Sequence, residues 1–207
     1  MLAVLLVLAA VATGSAEAVV GADGHRLQRF PLRVWAELSL AAGVDQALGR
    51  ALDDWNVVFR EALGITVDAF VRAETRYAAD VFVANAPNDV PINAAILAGA
   101  HALGWTVLDA NDRGMIRLPV KVYVFGSARF KDVSREASLY AVVAHELGHA
   151  LGLVHVDDPR SVMCCAGSAL GNPAGYRAYV ESLRHPDIRS VREQLTEHYT
   201  RFWGTTK

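Results

Sequence analysis

The chain has 207 residues, of which 20% are charged and 53% apolar, and its formal net charge is −2. That length suits one domain able to bury its own core without disulfides. With charge near balance there is no basic field, which argues against nucleic acid or an anionic membrane surface as partners.

The first eighteen residues read as an export signal. Leu2 to Val11 is an unbroken apolar run, Thr13-Gly14-Ser15 breaks it, and Ala16-Glu17-Ala18 offers a small-x-small cleavage pattern. No Lys or Arg precedes the run, so only the α-amine supplies positive charge there. The run falls short of the about 20 apolar residues a membrane span needs. The expected mature chain is therefore residues 19–207, secreted or periplasmic, with no stable membrane anchor after cleavage.

Val19 to Arg29 is polar and Gly-containing and reads as a flexible lead-in. Leu32 to Leu40 alternates apolar and polar residues, as a strand does. A helix is expected from about Asp45 to Leu63, because Leu48, Leu52, Trp55, Phe59 and Leu63 fall three and four apart, and Gly64 is suited to end it. Ile65 to Ala73 and Ala79 to Ala84 are expected strands, and Asn85 to Asn93 a loop. Ile96 to Ala102 reads as a short strand. Trp105 to Leu108 and Met115 to Phe125 read as a hairpin around Asn111-Asp112-Arg113-Gly114. Ser134, with Glu136 in the first turn, predicts a helix that runs to about Leu151. The stretch that follows reads as irregular. Ile188 to Phe202 is a last helix, with Val191, Leu195 and Tyr199 on one side. The layout is a mixed α+β arrangement around one sheet.

The chemistry is concentrated in His145-Glu146-Leu147-Gly148-His149-Ala150-Leu151-Gly152-Leu153-Val154-His155. Residues four apart share a helix face, so His145 and His149 can address one ion. A catalytic zinc takes three protein ligands and keeps one position open for water. Gly152 can adopt the left-handed conformation that ends a helix, and the turn can return His155 as the third ligand. Glu146 is placed to take a proton from the water and pass it to a leaving nitrogen. An accidental match to H-E-x-x-H is expected in ~1% of chains this long, and adding the Gly and the third His lowers that to roughly one in 100,000. The spacing is therefore a specific signal.

This segment resembles the metzincin metallopeptidases at the five defining positions His145, Glu146, His149, Gly152 and His155. Ser161-Val162-Met163 follows at the distance of the matrixin branch's methionine turn, which implies that Met163 lies beneath the metal. Asp157-Asp158-Pro159-Arg160-Ser161 and the late Pro186-Asp187-Ile188 are similar to that branch too. The resemblance implies a twisted, mostly parallel sheet with an antiparallel edge strand, an N-terminal helix, an active-site helix and a smaller C-terminal subdomain ending in a helix. It also implies one catalytic Zn2+, a peptide or protein substrate and endopeptidase activity. Three positions depart from the branch: Val156 replaces the usual Ser, Cys164-Cys165 replaces Tyr-Pro, and residues 19–144 contain no cysteine that could block the metal. The chain is thus similar to minimal bacterial-type catalytic domains.

Other candidates carry less. His101 lies in the stretch that the resemblance makes a substrate-binding edge strand, and it reads as a surface residue or a ligand of a second zinc. His25, His185 and His198 lie outside any ligand spacing and read as surface residues. Asn88-Asp89, Asp109, Asn111-Asp112 and Asp157-Asp158 could serve calcium or simply turns. Cys164 and Cys165 read as reduced, partly buried thiols or as one pairing with another molecule, with ligation of the zinc as a further reading. Trp35, Trp55, Trp105 and Trp203 read as core or interface residues. Two other functions fit the residues: a zinc aminopeptidase or narrow processing peptidase, and a catalytically silent zinc-containing binding module.

Overall fold

A computed structural model of the protein describes residues 22–37, 43–85, 104–124, 132–164 and 171–205. Five strands form one sheet: β1 (Leu32–Ala36), β2 (Phe70–Arg72), β3 (Val81–Asn85), β4 (Gly104–Val107) and β5 (Val120–Val124). Their order is β2-β1-β3-β5-β4. All pairings are parallel except β4 on β5, so the expected mostly parallel sheet with an antiparallel edge strand is present. Strands β1, β3 and β5 alternate buried with more open positions, which gives the sheet one face for packing.

Helix α1 (Val44–Leu63) buries Leu48, Leu52, Trp55 and Phe59, the stripe its spacing predicts. Gly64 ends it in the left-handed region at φ 63°. Helix α2 (Arg135–Ala150) begins at Ser134, whose hydroxyl accepts from the Ala137 N–H. It is almost wholly buried and packs between α1, β4 and β5. The Trp55 indole N–H donates to Ala144 O at 3.0 Å, bolting α1 to α2. Helix α3 (Pro173–Arg184) and helix α4 (Arg192–Thr205) complete the chain. Leu195 and Tyr199 of α4, with Val191 in the short turn before it, are fully buried, so the last helix joins the same core as α1. No described helix is long and apolar enough to cross a membrane.

Several expectations need correction. The strand expected from Ile65 pairs only from Phe70 to Arg72, because β1 offers it just three partners. Asn56 of α1 bonds both the N–H and the O of Phe70, taking the place of a further strand. The stretch read as irregular contains α3, which Asn172 caps by accepting from Gly175 N–H, with Pro173 in the first turn. The lead-in is docked, not loose, over residues 22–30. Gly24 exchanges bonds with the hairpin: its N–H donates to Gly114 O and its O accepts from Ile116 N–H. His25 and His198 are 2% and 1% exposed, so neither is a surface residue. His25 meets Ala150 O, 125 residues away, which local spacing does not reveal. The expected strand Ile96 to Ala102, with His101, and Asn88-Asp89 of the expected loop lie outside the described residues. So do residues 38–40 of the first expected strand.

Candidate metal centre

Helix α2 carries His145 and His149 one turn apart, and its end delivers His155. Leu153 N–H donates to Gly148 O at 3.0 Å and Gly152 N–H to His149 O at 2.8 Å. This is a Schellman stop, with Gly152 at φ 90° in the left-handed position that it requires. The reversal brings the three imidazoles together, and their Nε2 atoms stand 3.0, 3.1 and 3.1 Å apart.

The hydrogen bonds of the outer nitrogens define what this cluster can hold. His145 Nδ1 donates to Val162 O and His149 Nδ1 to Leu153 O, each at 2.8 Å. A carbonyl can only accept, so both protons sit on Nδ1 and both Nε2 atoms present lone pairs. Lone pairs converging at this distance repel unless a cation lies between them. A point about 2.0–2.1 Å from all three nitrogens, the Zn–N contact distance, exists just off the plane of their triangle. The donor set fits a zinc ion, and among the described residues it is the one such cluster of His, Cys, Asp and Glu. His155 is exposed, so the centre opens to solvent on its side.

The predicted methionine turn lies beneath. Met163 is fully buried, and its Sδ would stand 2.3 Å from a Cβ placed on Gly148, so the thioether packs against the backbone between the two helical histidines. The turn is tied to both sides of the centre. Val162 O holds His145, while Val156 N–H, next to His155, donates to Met163 O at 3.0 Å. Ser190, just before α4, accepts from Val162 N–H at 3.0 Å.

Glu146 is 5% exposed and is pushed up to about 7, chiefly by burial, with a bond from Thr106 opposing the shift. Thr106 Oγ1 lies 2.7 Å from Glu146 Oε2 and 3.0 Å from the Glu146 backbone O. Sequence reasoning missed Thr106, Ser190 and the two holding carbonyls, which have no local signature. The remaining candidates take structural roles. Cys164 is buried and disulfide-bonded, which corrects the reading of it as a reduced thiol; Cys165, the chain's other cysteine, lies outside the described residues. Asn111 Oδ1 accepts from Arg113 and Met115 N–H, Asp158 Oδ1 accepts from Arg160 N–H, and Asp109 pairs with Arg117, so these side chains serve turns and an ion pair. Trp55 is fully buried, and the Trp203 indole donates to His25 O.

The cluster makes the metal-free protein sensitive to acid. Burial holds His145 at about 3 and His149 at about 4, and also lowers His155, against 6.5 for a free side chain. The unfolded chain takes up protons below about pH 6.5 that the folded state resists. The histidine contribution is therefore intact above that pH and is lost as pH falls toward 4. Glu146 acts oppositely: its folded state is protonated between about 7 and 4.5, which stabilises as pH falls. Three histidines outweigh one carboxylate. Thermal melts of chelated protein should show Tm falling from pH 6.5 to pH 4. A flat or rising Tm over that window would contradict the described packing.

No curated protein matches the chain. The matrixin family matches residues 35–178, which is more than half of the chain and covers strands β2 to β5, both central helices, the three histidines and Met163. Matrixins are zinc-dependent metallopeptidases, and on this match, with the fold and the histidine cluster that accompany it, the chain belongs to the matrixin family.

Proposed function

We propose that the protein is a zinc-dependent endopeptidase in which His145, His149 and His155 hold the metal and Glu146 is the general base and acid. The observation that carries this reading is the convergence of three Nε2 atoms, two of them with lone pairs fixed by backbone carbonyls, on a helix that also holds Glu146, a buried carboxyl of near-neutral affinity for protons. When bound, zinc supplies a Lewis acid that activates water and polarises the scissile carbonyl. Glu146 accepts a proton from the attacking water as its oxygen bonds to the carbonyl carbon. It then donates that proton to the leaving nitrogen as the C–N bond breaks. A carboxyl group poised near pH 7 can make both transfers. Val162 O and Leu153 O keep His145 and His149 in the tautomer that faces the metal. We assign residues 19–207 to the catalytic domain and residues 1–18 to an export signal, which places the enzyme outside the cytoplasm.

The test is cleavage of a mixture of end-blocked fluorogenic peptides by the protein with zinc and with a chelator. Cleavage that chelation abolishes and zinc restores is the expected result. Cleavage confined to peptides with free N-termini would make it an aminopeptidase instead. A folded, zinc-loaded protein that cuts nothing would favour a silent binding module.

A further inference from the structure

Strand β4 is the outermost strand of the described sheet, and its pleat turns Gly104 and Thr106 to the same side. That side is occupied by Glu146. A Cβ on Gly104 would stand 2.6 Å from both Cγ and Oε1 of Glu146, so only glycine lets the carboxylate lie flat along the strand. Thr106 Oγ1 then meets Oε2 at 2.7 Å. Trp105, between them, points away and lies beside Tyr123, its partner across the strands.

We infer that Thr106 is a positioning residue for Glu146, acting through the carboxylate in the hydrolysis proposed above and resting on that reading. A glutamate side chain has three rotatable bonds whose freedom must be lost, and a base that wanders is out of reach of the reacting proton for much of the time. The hydroxyl anchors Oε2, and Gly104 supplies the floor on which the carboxylate rests. Oε1 is left to carry the proton between water and leaving nitrogen. The alternative acceptor 3.0 Å away, the Glu146 backbone O, keeps the hydroxyl satisfied if Oε2 gives up its bond. The base is thereby indexed to the sheet's edge strand and not only to its own helix.

Thr106→Val removes the hydroxyl at nearly constant shape, and Thr106→Ser restores it. The Val variant should lower kcat roughly 10- to 100-fold with KM within about twofold and zinc content unchanged, and the Ser variant should stay within about threefold of wild type. Unchanged kcat in the Val variant, a loss matched by lost zinc, or a Ser variant no better than Val would each overturn the inference. If wild type cleaves no peptide, the peptidase reading fails while the contact stays testable. The Glu146 carboxylate stretch, assigned by infrared difference against Glu146→Gln in alkaline buffer, should shift in Thr106→Val and return in Thr106→Ser. A band that does not move in the Val variant would also overturn it.

Discussion

Glu146→Gln is expected to lower kcat by roughly 100- to 10,000-fold, the usual contribution of a positioned general base, while zinc remains bound at one ion per chain. The amide keeps the shape that fits over Gly104 and still accepts from Thr106, but it cannot take a proton from water. Stability should move the other way. Wild-type folding at alkaline pH keeps an ionised carboxylate in a site that raises it to about 7, and the amide removes that penalty. Metal-free Glu146→Gln should therefore melt no lower than metal-free wild type above pH 7. Glu146→Ala should lose turnover similarly, with a void left beside β4. Peptide cleavage, metal analysis and melting curves separate these effects. Turnover at the wild-type rate in either variant would remove Glu146 from the mechanism.

Gly152→Ala is expected to be the most damaging Gly→Ala change among the described glycines. At φ 90° the position is unfavourable for any L side chain, by about 1–2 kcal/mol. The new Cβ would also stand 2.1 Å from Asp23 O and 3.0 Å from Asp23 C, both backbone atoms, and 3.2 Å from His198 Nε2. Relieving such a clash costs about 1–3 kcal/mol more, so the whole effect is about 2–5 kcal/mol, a large share of the 5–15 typical of a domain. The turn that must distort is the one that brings back His155, so zinc affinity should fall with stability. Denaturant midpoints and competitive zinc titration would measure the two losses. A variant less than about 1 kcal/mol weaker, with wild-type zinc affinity, would mean that the turn and the N-terminal segment do not meet as described.

Much of this centre is legible in the sequence. Spacing alone placed His145, His149 and the apolar stripe of α1, because helical periodicity is a local property. Gly152 was legible for the same reason, since a helix stop needs a left-handed residue. Met163 followed from resemblance, and the structure seats it under Gly148. What escaped was either weakly patterned or long-range. Helix α3 buries only Leu183, so its apolar rhythm is faint, although Asn172-Pro173 announces its start. Burial of His25 depends on Ala150 O, 125 residues away, and Thr106 meets Glu146 across 40 residues. No local pattern encodes such pairs.

The docking of the N-terminal segment has a consequence for timing. His25 Nε2 donates to Ala150 O, the Tyr199 hydroxyl donates to Leu151 O, and the Trp203 indole N–H donates to His25 O. The last turn of the histidine-bearing helix α2 is thus braced by residues from both ends of the described chain. A polypeptide emerging from its N-terminus cannot complete that brace until residue 203 has been made. The histidine motif, finished by residue 155, is made before the residues that brace it. Long-range closures of this kind come late in folding. The order of assembly itself therefore delays the braced form of this helix end until residue 203 has joined the chain.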